Sequence, residues 1–336
     1  MTFGEIMMRL SPKNYERFSQ AQSFDVFYGG AEANVAASLS HFGLDALFVS
    51  KIPENQIGDA CLSELRKHGI DTQFVSRGGD RLGIYFAEKG ASQRPSLVVY
   101  DRANSAFASA SENDFDWDTI FDDAQFFHFT GITPALGKNI ARICETACKK
   151  ANAKGITVSC DLNYRKKLWT KSEAKETMSR LMPYVDLCIA NEEDAANVFG
   201  IVSEKSNVDG GALDIADYKN VAQKLQSTFH FQKVALTLRT SLSASENKWQ
   251  ALLFDGEAFF QSREYHIFLV DRIGGGDSFG AGLIYSLASG FDCQRAIEFA
   301  TAASCLKQTI EGDFNLASLS EVLSLAEGNA SGRVQR

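Results

Sequence analysis

FLVDRIGGGDSFGAGLIYSLASG, residues 268–290, is the stretch from which the fold can be read. An apolar strand end, Phe268 to Val270, meets Asp271, then Gly274, Gly275 and Gly276, then Asp277. Glycines can adopt positive φ and let another molecule approach the backbone. Ser278 to Ala288 follows with helical spacing, placing Phe279, Leu283, Ile284 and Leu287 on one stripe. A helix start with free N–H groups and a favourable dipole attracts anions. Two readings fit this stretch. Asp277 caps an ordinary strand-to-helix turn, or it takes a proton from a substrate hydroxyl while the neighbouring N–H groups hold charge on a transferred phosphoryl group.

Composition narrows the field. The chain has 336 residues, 45% hydrophobic, enough for a large core in one to three domains. A net charge of −8 and a pI near 5.3 argue against nucleic acid or an anionic membrane as partner. No apolar run nears the roughly 18 residues of a membrane span. The opening MTFGEIMMRL holds Glu5 and no basic leader, so the expected location is cytoplasmic. Seven scattered cysteines form no C-x-x-C pair, and Cys144 and Cys148, one helical turn apart, read as structural. His128, in the apolar run FFHF, reads as a satisfied buried residue. The D-x-D-x-D of Asp114, Asp116 and Asp118 lacks the glycine and glutamate of a calcium loop and reads as solvated surface.

Residues 2–8 read as one short strand. Gly29-Gly30-Ala31-Glu32-Ala33-Asn34-Val35-Ala36 opens a helix to about His41. Segments 81–89 and 96–102 read as strands around a polar turn, and with 10–28 they form a small separate sheet. On the second of these, Tyr100 and Arg102 share a side because they are two apart. An Arg fork beside the phenols of Tyr85 and Tyr100 suits a carboxylate, although an exposed cross-strand pair fits as well. From 124 onward the rhythm is β-α-β-α: strands near 125–130, 156–161, 185–190 and 233–238, helices near 137–153, 171–182, 192–199 and 215–228. That rhythm implies a mainly parallel sheet with flanking helices. Asp161-Leu162-Asn163-Tyr164-Arg165 and Asn191-Glu192-Glu193-Asp194 fall just beyond strand ends, where open α/β sheets bind ligands. GITPALGKN (131–139) fails as a phosphate loop, with five residues between its glycines, Pro134 among them, and Asn139 at the hydroxyl position.

The D-x-x-G-x-G-D-x-F-x-A-G of Asp271 to Gly282 resembles the C-terminal signature of the ribokinase-like (PfkB) carbohydrate kinases. The usual Gly-Ala-Gly-Asp appears here as Gly-Gly-Gly-Asp. The block at 29–36 resembles that family's G-G-x-x-x-N-x-A, with Gly43 at the expected spacing, Pro53 in place of a glycine, and Gly58-Asp59 in register. DRIGGGDSF further resembles the 2-keto-3-deoxygluconate kinase branch, and the likeness runs from Phe3 to about Leu325.

The resemblance implies a ribokinase-like three-layer α/β/α sandwich with a mainly parallel central sheet. It implies one catalytic domain over 1–336, with a small β-sheet lid from about 10–28 and 81–105. It implies an ATP-dependent sugar kinase using Mg2+, with no metal ligand assigned. The implied reaction converts 2-keto-3-deoxygluconate to its 6-phosphate. Asp277 is then the base, with Gly274, Gly275 and Gly276 as the cradle. Gly30, Asn34 and Asp313 would meet sugar hydroxyls, Tyr85, Tyr100 and Arg102 the carboxylate, and Ile132 the substrate. Arg165 would touch substrate and phosphate, while Asn191, Asp194, Thr237 and Arg239 would serve the nucleotide. The expected partners are a small sugar acid and a second copy of the chain through the lid. A neutral-sugar kinase of the same family and a catalytically silent sugar-binding protein remain as alternatives.

Overall fold

The structure is a computed structural model that describes residues 1–202, 214–329 and 332. Its central sheet has ten strands. Seven run parallel, in the spatial order Lys233–Ser241, Leu187–Ala190, Thr157–Asp161, Phe126–Thr130, Thr2–Phe3, Phe48–Ile52 and Val75–Arg77. Glu246–Phe254 turns back antiparallel beside Lys233–Ser241, and both Phe259–Gln261 and Tyr265–Phe268 pair along it.

Helices cover both faces because each carries an apolar stripe. On Lys138–Ala153 the buried positions are Ile140, Ile143, Cys144, Ala147, Cys148 and Ala151, the i, i+3, i+4 spacing of one face. It packs with Lys171–Leu181, Glu192–Phe199 and Ile215–Phe229 over one side of the sheet. Ala31–His41, Gln56–Lys67, Gly275–Ala288 and Cys293–Lys307 cover the other. The chain is therefore a three-layer α/β/α sandwich, as the family resemblance implied, around the mainly parallel sheet implied by the rhythm of the sequence.

Gly275–Ala288 departs from the expected single stripe. Phe279 and Leu283 pack on the sheet beneath Leu187 and Ile189, whereas Ala281 and Ile284 face the opposite cluster. Nearly every side is buried because the helix is wedged between Ala31–His41, the sheet and Cys293–Lys307. Small residues make that possible: a Cβ on Gly282 would stand 2.6 Å from Ala300 Cα. His128 is buried as expected but only half satisfied, with Nδ1 2.8 Å from Ser159 Oγ and Nε2 unpartnered. Burial drives its pKa down to about 3, so it stays neutral.

A second sheet of four strands stands apart, in the order Phe24–Gly29, Met7–Pro12, Gly83–Glu88, Leu97–Asp101. The run 2–8 is thus not one strand. It breaks at Gly4, Glu5 and Ile6, and Met7 already belongs to the small sheet. Gly4 permits the break: a Cβ there would lie 2.1 Å from Glu32 Oε2. The small sheet's inner face, with Arg9, Tyr85 and Ala87, is buried, while Val26, Leu97 and Val99 on its outer side are exposed.

Candidate active site at the carboxyl edge of the sheet

The carboxyl ends of the parallel strands, the small sheet and the start of helix Gly275–Ala288 enclose a cavity of about 640 Å³. Fifteen of the sixteen residues expected at the site line it: Gly30, Asn34, Tyr85, Tyr100, Arg102, Ile132, Arg165, Asn191, Asp194, Thr237, Arg239, Gly274, Gly276, Asp277 and Asp313. Gly275 is the exception, buried behind its neighbours.

The three glycines have different reasons to be glycine. Gly274 has φ +83°, and a Cβ on it would meet the Asp313 carbonyl oxygen at 2.1 Å. At Gly275 a Cβ would stand 3.0 Å from Gln308 Cγ. Gln308 cannot easily retreat: its carbonyl accepts from Val270 and Asp271 N–H groups, and its amide donates to Ser304 O. The usual alanine would therefore have to push one side chain aside by a few tenths of an ångström. Gly276 differs from both, since a Cβ there would enter open space. Nothing among the described residues demands glycine at 276, where a bare backbone would let a ligand approach closely. The backbone N–H groups of Gly276 and Asp277 have no partner among the described residues.

Asp277 sits in the first turn of this helix. Asn34 Nδ2 donates to its Oδ2 at 2.7 Å, and among the described residues nothing donates to Oδ1. Burial pushes the Asp277 pKa up to about 6, against the Asn34 hydrogen bond and the Arg165 charge, which pull it down. Asn34 is itself oriented by the Gly30 N–H, which donates to its Oδ1 at 3.3 Å. Gly29 and Gly30 are glycine for protein contacts: a Cβ on Gly29 would strike Asp313 Oδ1, and one on Gly30 the Glu5 carbonyl.

Several expected ligand contacts are already taken. Arg102 does not present a free fork. Its Nε donates to Glu5 Oε2 at 2.8 Å and its Nη2 to the same oxygen, leaving Nη1 without a bond among the described residues. Tyr85 is cross-strand from Tyr100, rings 5.8 Å apart, but its hydroxyl donates to Asp313 Oδ1. Tyr100, half exposed, keeps its hydroxyl unengaged among the described residues. Asp313 also takes Arg9 Nη1 at 2.9 Å, and Arg9 Nη2 binds Asp271 Oδ2 at 2.7 Å. Tyr85 and Asp313 thus belong to a buried ion network that pins the small sheet to the loop before the helix.

On the other side, three arginine side chains, Arg165, Arg239 and Arg272, make no hydrogen bond or ion pair among the described residues. Arg272 Nη2 is buried and unpartnered, and burial together with the Arg239 charge pushes its pKa down. An Asx-type turn, Asn163 N–H donating to Asp161 Oδ1 at 3.1 Å, brings Arg165 round to the cavity. Asn191 caps its helix through Asp194 N–H at 2.8 Å, and Asp194 Oδ1 accepts from Tyr164 N–H at 2.9 Å. Burial lifts Asp194 to about 6, and lifts Asp161 well above the usual carboxylate range, reinforced by the charges of Asp194 and Asp277. Thr237 and Arg239 lie on the strand Lys233–Ser241 where it passes the cavity.

Sequence reasoning missed Glu5, Arg9, Arg272, Lys307 and the carboxylate of Asp161. Glu32 lines the cavity too, but Thr130 N–H and the hydroxyls of Thr130 and Thr133 satisfy its Oε1, so it ties helix to strand.

The cavity thus gathers a buried carboxylate with one free oxygen, open helix N–H groups and arginines without partners among the described residues, the kinds of group that phosphoryl transfer requires. Residues 1–316 match the family described as pfkB family carbohydrate kinase, and the chain belongs to that family. It is 33% identical over 332 residues, 99% of this chain and 98% of the relative, to a 2-dehydro-3-deoxygalactonokinase of Haloferax volcanii. A 2-dehydro-3-deoxygluconokinase of Bacillus subtilis is 26% identical, covering 94% of this chain and 91% of that one. Among solved structures, the 2-dehydro-3-deoxygluconokinase of Thermotoga maritima superposes with a TM-score of 0.94 at 54% identity, covering 97% of each chain. The protein is an ATP-dependent carbohydrate kinase.

Proposed function

We propose that this kinase phosphorylates 2-keto-3-deoxygluconate on its primary hydroxyl, giving the 6-phosphate. The observation that carries the reading is the division of one cavity: Asp277 with Asn34, Tyr100 and Arg102 on one side, three unpaired arginines and an open helix start on the other. Support for a sugar acid comes from Tyr100 and the unbonded Nη1 of Arg102, and from relatives named for 2-keto-3-deoxy sugar acids.

Asp277 Oδ1 accepts the hydroxyl proton while Asn34 holds Oδ2, a contribution of about 10²–10⁴-fold. The N–H groups of Gly276 and Asp277 meet charge as it grows on the phosphoryl oxygens, each such donor contributing about 3 kcal/mol. Glu5 does not compete for the carboxylate so much as aim Arg102, by fixing two of its three nitrogens. The fit to ATP rests on the unfilled space over Gly276 and on Arg165, Arg239 and Arg272, whose charges a polyphosphate would neutralise. Among the described residues no three acidic, His or Cys side chains gather closely enough to cage a metal. Magnesium would therefore arrive with the phosphates, with Asp161 and Asp194 as the carboxylates able to relieve their mutual repulsion on it. In this reading the chain is one catalytic unit, the small sheet is its lid, and the exposed Val26, Leu97 and Val99 form the surface through which two lids pair.

The test is ADP release with 2-keto-3-deoxygluconate, its galactonate epimer, fructose and ribose, for the parent and for Tyr100→Phe with Arg102→Ala. The expected result is a preference for a sugar acid and a KM raised chiefly for that acid in the double variant. A parent that prefers fructose or ribose replaces the reading with a neutral-sugar kinase.

A further inference from the structure

Lys307, at the end of helix Cys293–Lys307, is fully buried, yet its ammonium meets no carboxylate among the described residues. Its Nζ instead donates to three backbone carbonyls: Gly312 at 2.7 Å, Ile310 at 3.1 Å and, more weakly, Asp271 at 3.5 Å. Three acceptors match the three N–H bonds of an ammonium, whereas a neutral amine would turn a lone pair on one of them. The stem passes directly beneath the cradle, for Lys307 Cε is 3.1 Å from the place a Gly274 Cβ would occupy. The carbonyls belong to the two loops that meet there, one carrying Asp271 into Gly274 and the other carrying Ile310 into Asp313. A buried cation is costly to desolvate and is kept where it is matched. Here burial presses the Lys307 pKa down, and the charges of Asp271, Asp313 and Asp277 oppose it.

We propose that Lys307 is a built-in monovalent cation, a positioning residue whose ammonium clamps the two loops through their carbonyls and thereby holds the phosphoryl-binding N–H groups in place. The proposal rests on the kinase reading of that cradle and not on which sugar is used. Carbonyl oxygens can replace the hydration shell of a potassium ion, which carries the same charge as an ammonium. A chain with its own ammonium in such a cage has no use for a dissolved one, and a chain that has lost it should accept one.

The experiment compares the parent and Lys307→Met in potassium, ammonium and choline chloride at equal ionic strength, reading initial rates and the thermal unfolding midpoint. The parent should be indifferent to the cation in both. In choline the variant should lose about 10²-fold in kcat, the cost of a cradle misplaced by about 1 Å, with little change in KM for the sugar. Potassium or ammonium should restore part of that rate and raise the variant's midpoint. A parent activated by potassium overturns the proposal and needs no folded variant to show it. So does a variant as fast as the parent in choline, or one slow in every salt with an unmoved midpoint, which would make Lys307 a packing residue. The midpoints report on the cage even if the parent phosphorylates none of the sugars, an outcome that would break the substrate reading alone.

Discussion

The two halves of the cavity are built on opposite principles. Beneath the small sheet, polar groups are bonded to one another before any ligand arrives: Arg102 to Glu5, Tyr85 and Arg9 to Asp313, Asn34 to Asp277. In the other half, the side chains of Arg165, Arg239 and Arg272 have no bond among the described residues, and neither do the N–H groups of Gly276 and Asp277. The difference teaches where recognition is stored. A sugar with many hydroxyls demands fixed partners in fixed places, since each unmatched buried polar group costs about 1–3 kcal/mol. A polyphosphate brings its own concentrated charge and needs only uncommitted cations to meet it.

Removing charges from each half should break or sharpen this contrast. The largest effect is expected at the shared centre. Asp277→Asn should lower kcat by about 10²–10⁴-fold, measured by ADP release. Stability should move the other way. The folded pKa, near 6, lies above its ordinary value, so the charge is tolerated rather than favoured at neutral pH. Its removal should raise the free energy of unfolding, by at most the roughly 3 kcal/mol that two pKa units represent. A variant both inactive and less stable would show that Asp277 supports the fold instead.

Next in size is the pre-bonded half. Arg9→Met leaves Asp271 and Asp313 buried together without their cation, and breaking such a pair should cost about 3–5 kcal/mol in urea unfolding. Arg272→Leu is the matched experiment across the cavity. It removes a cation with no partner, so stability should hold or rise, while KM for ATP increases about tenfold, equivalent to about 1.4 kcal/mol. Similar stability losses for both variants would erase the distinction between the halves. The smallest effect concerns pH. Asp277 acts ionised, so kcat/KM should climb as pH rises through about 6 and level off above it. Asn34→Ala removes a donor that favours the carboxylate, and the climb should move to higher pH. A shift to lower pH would contradict the hydrogen bond.

The same contrast explains what could be read from the chain alone. The parallel sheet and its helices were legible because apolar spacing records burial locally, and the cradle because glycines cluster before a helix. Arg165 was legible because a polar run marks its strand end, and Asn191 and Asp194 through the family resemblance. In the pre-bonded half the residues Asn34, Tyr85, Tyr100, Arg102 and Asp313 were legible, but the bonds that tie them up were not. Arg9 meets Asp313 across 304 positions and Arg102 meets Glu5 across 97, so only the folded chain reveals that those forks are taken. Lys307 lay hidden for a related reason, since a carbonyl cage leaves no mark on residue type. Arg272 was within reach: a cation between Asp271 and the glycines adjoins the anion site by position alone.

Gln308 fills the space that a Cβ at 275 would need, so two distant letters of the sequence form one choice. Importing the alanine of kindred signatures at 275 without shrinking 308 should disable the graft, and making both changes should rescue it. Ancestral reconstructions or chimaeras that treat the glycine run as a portable cassette would fail here unless residue 308 travels with it.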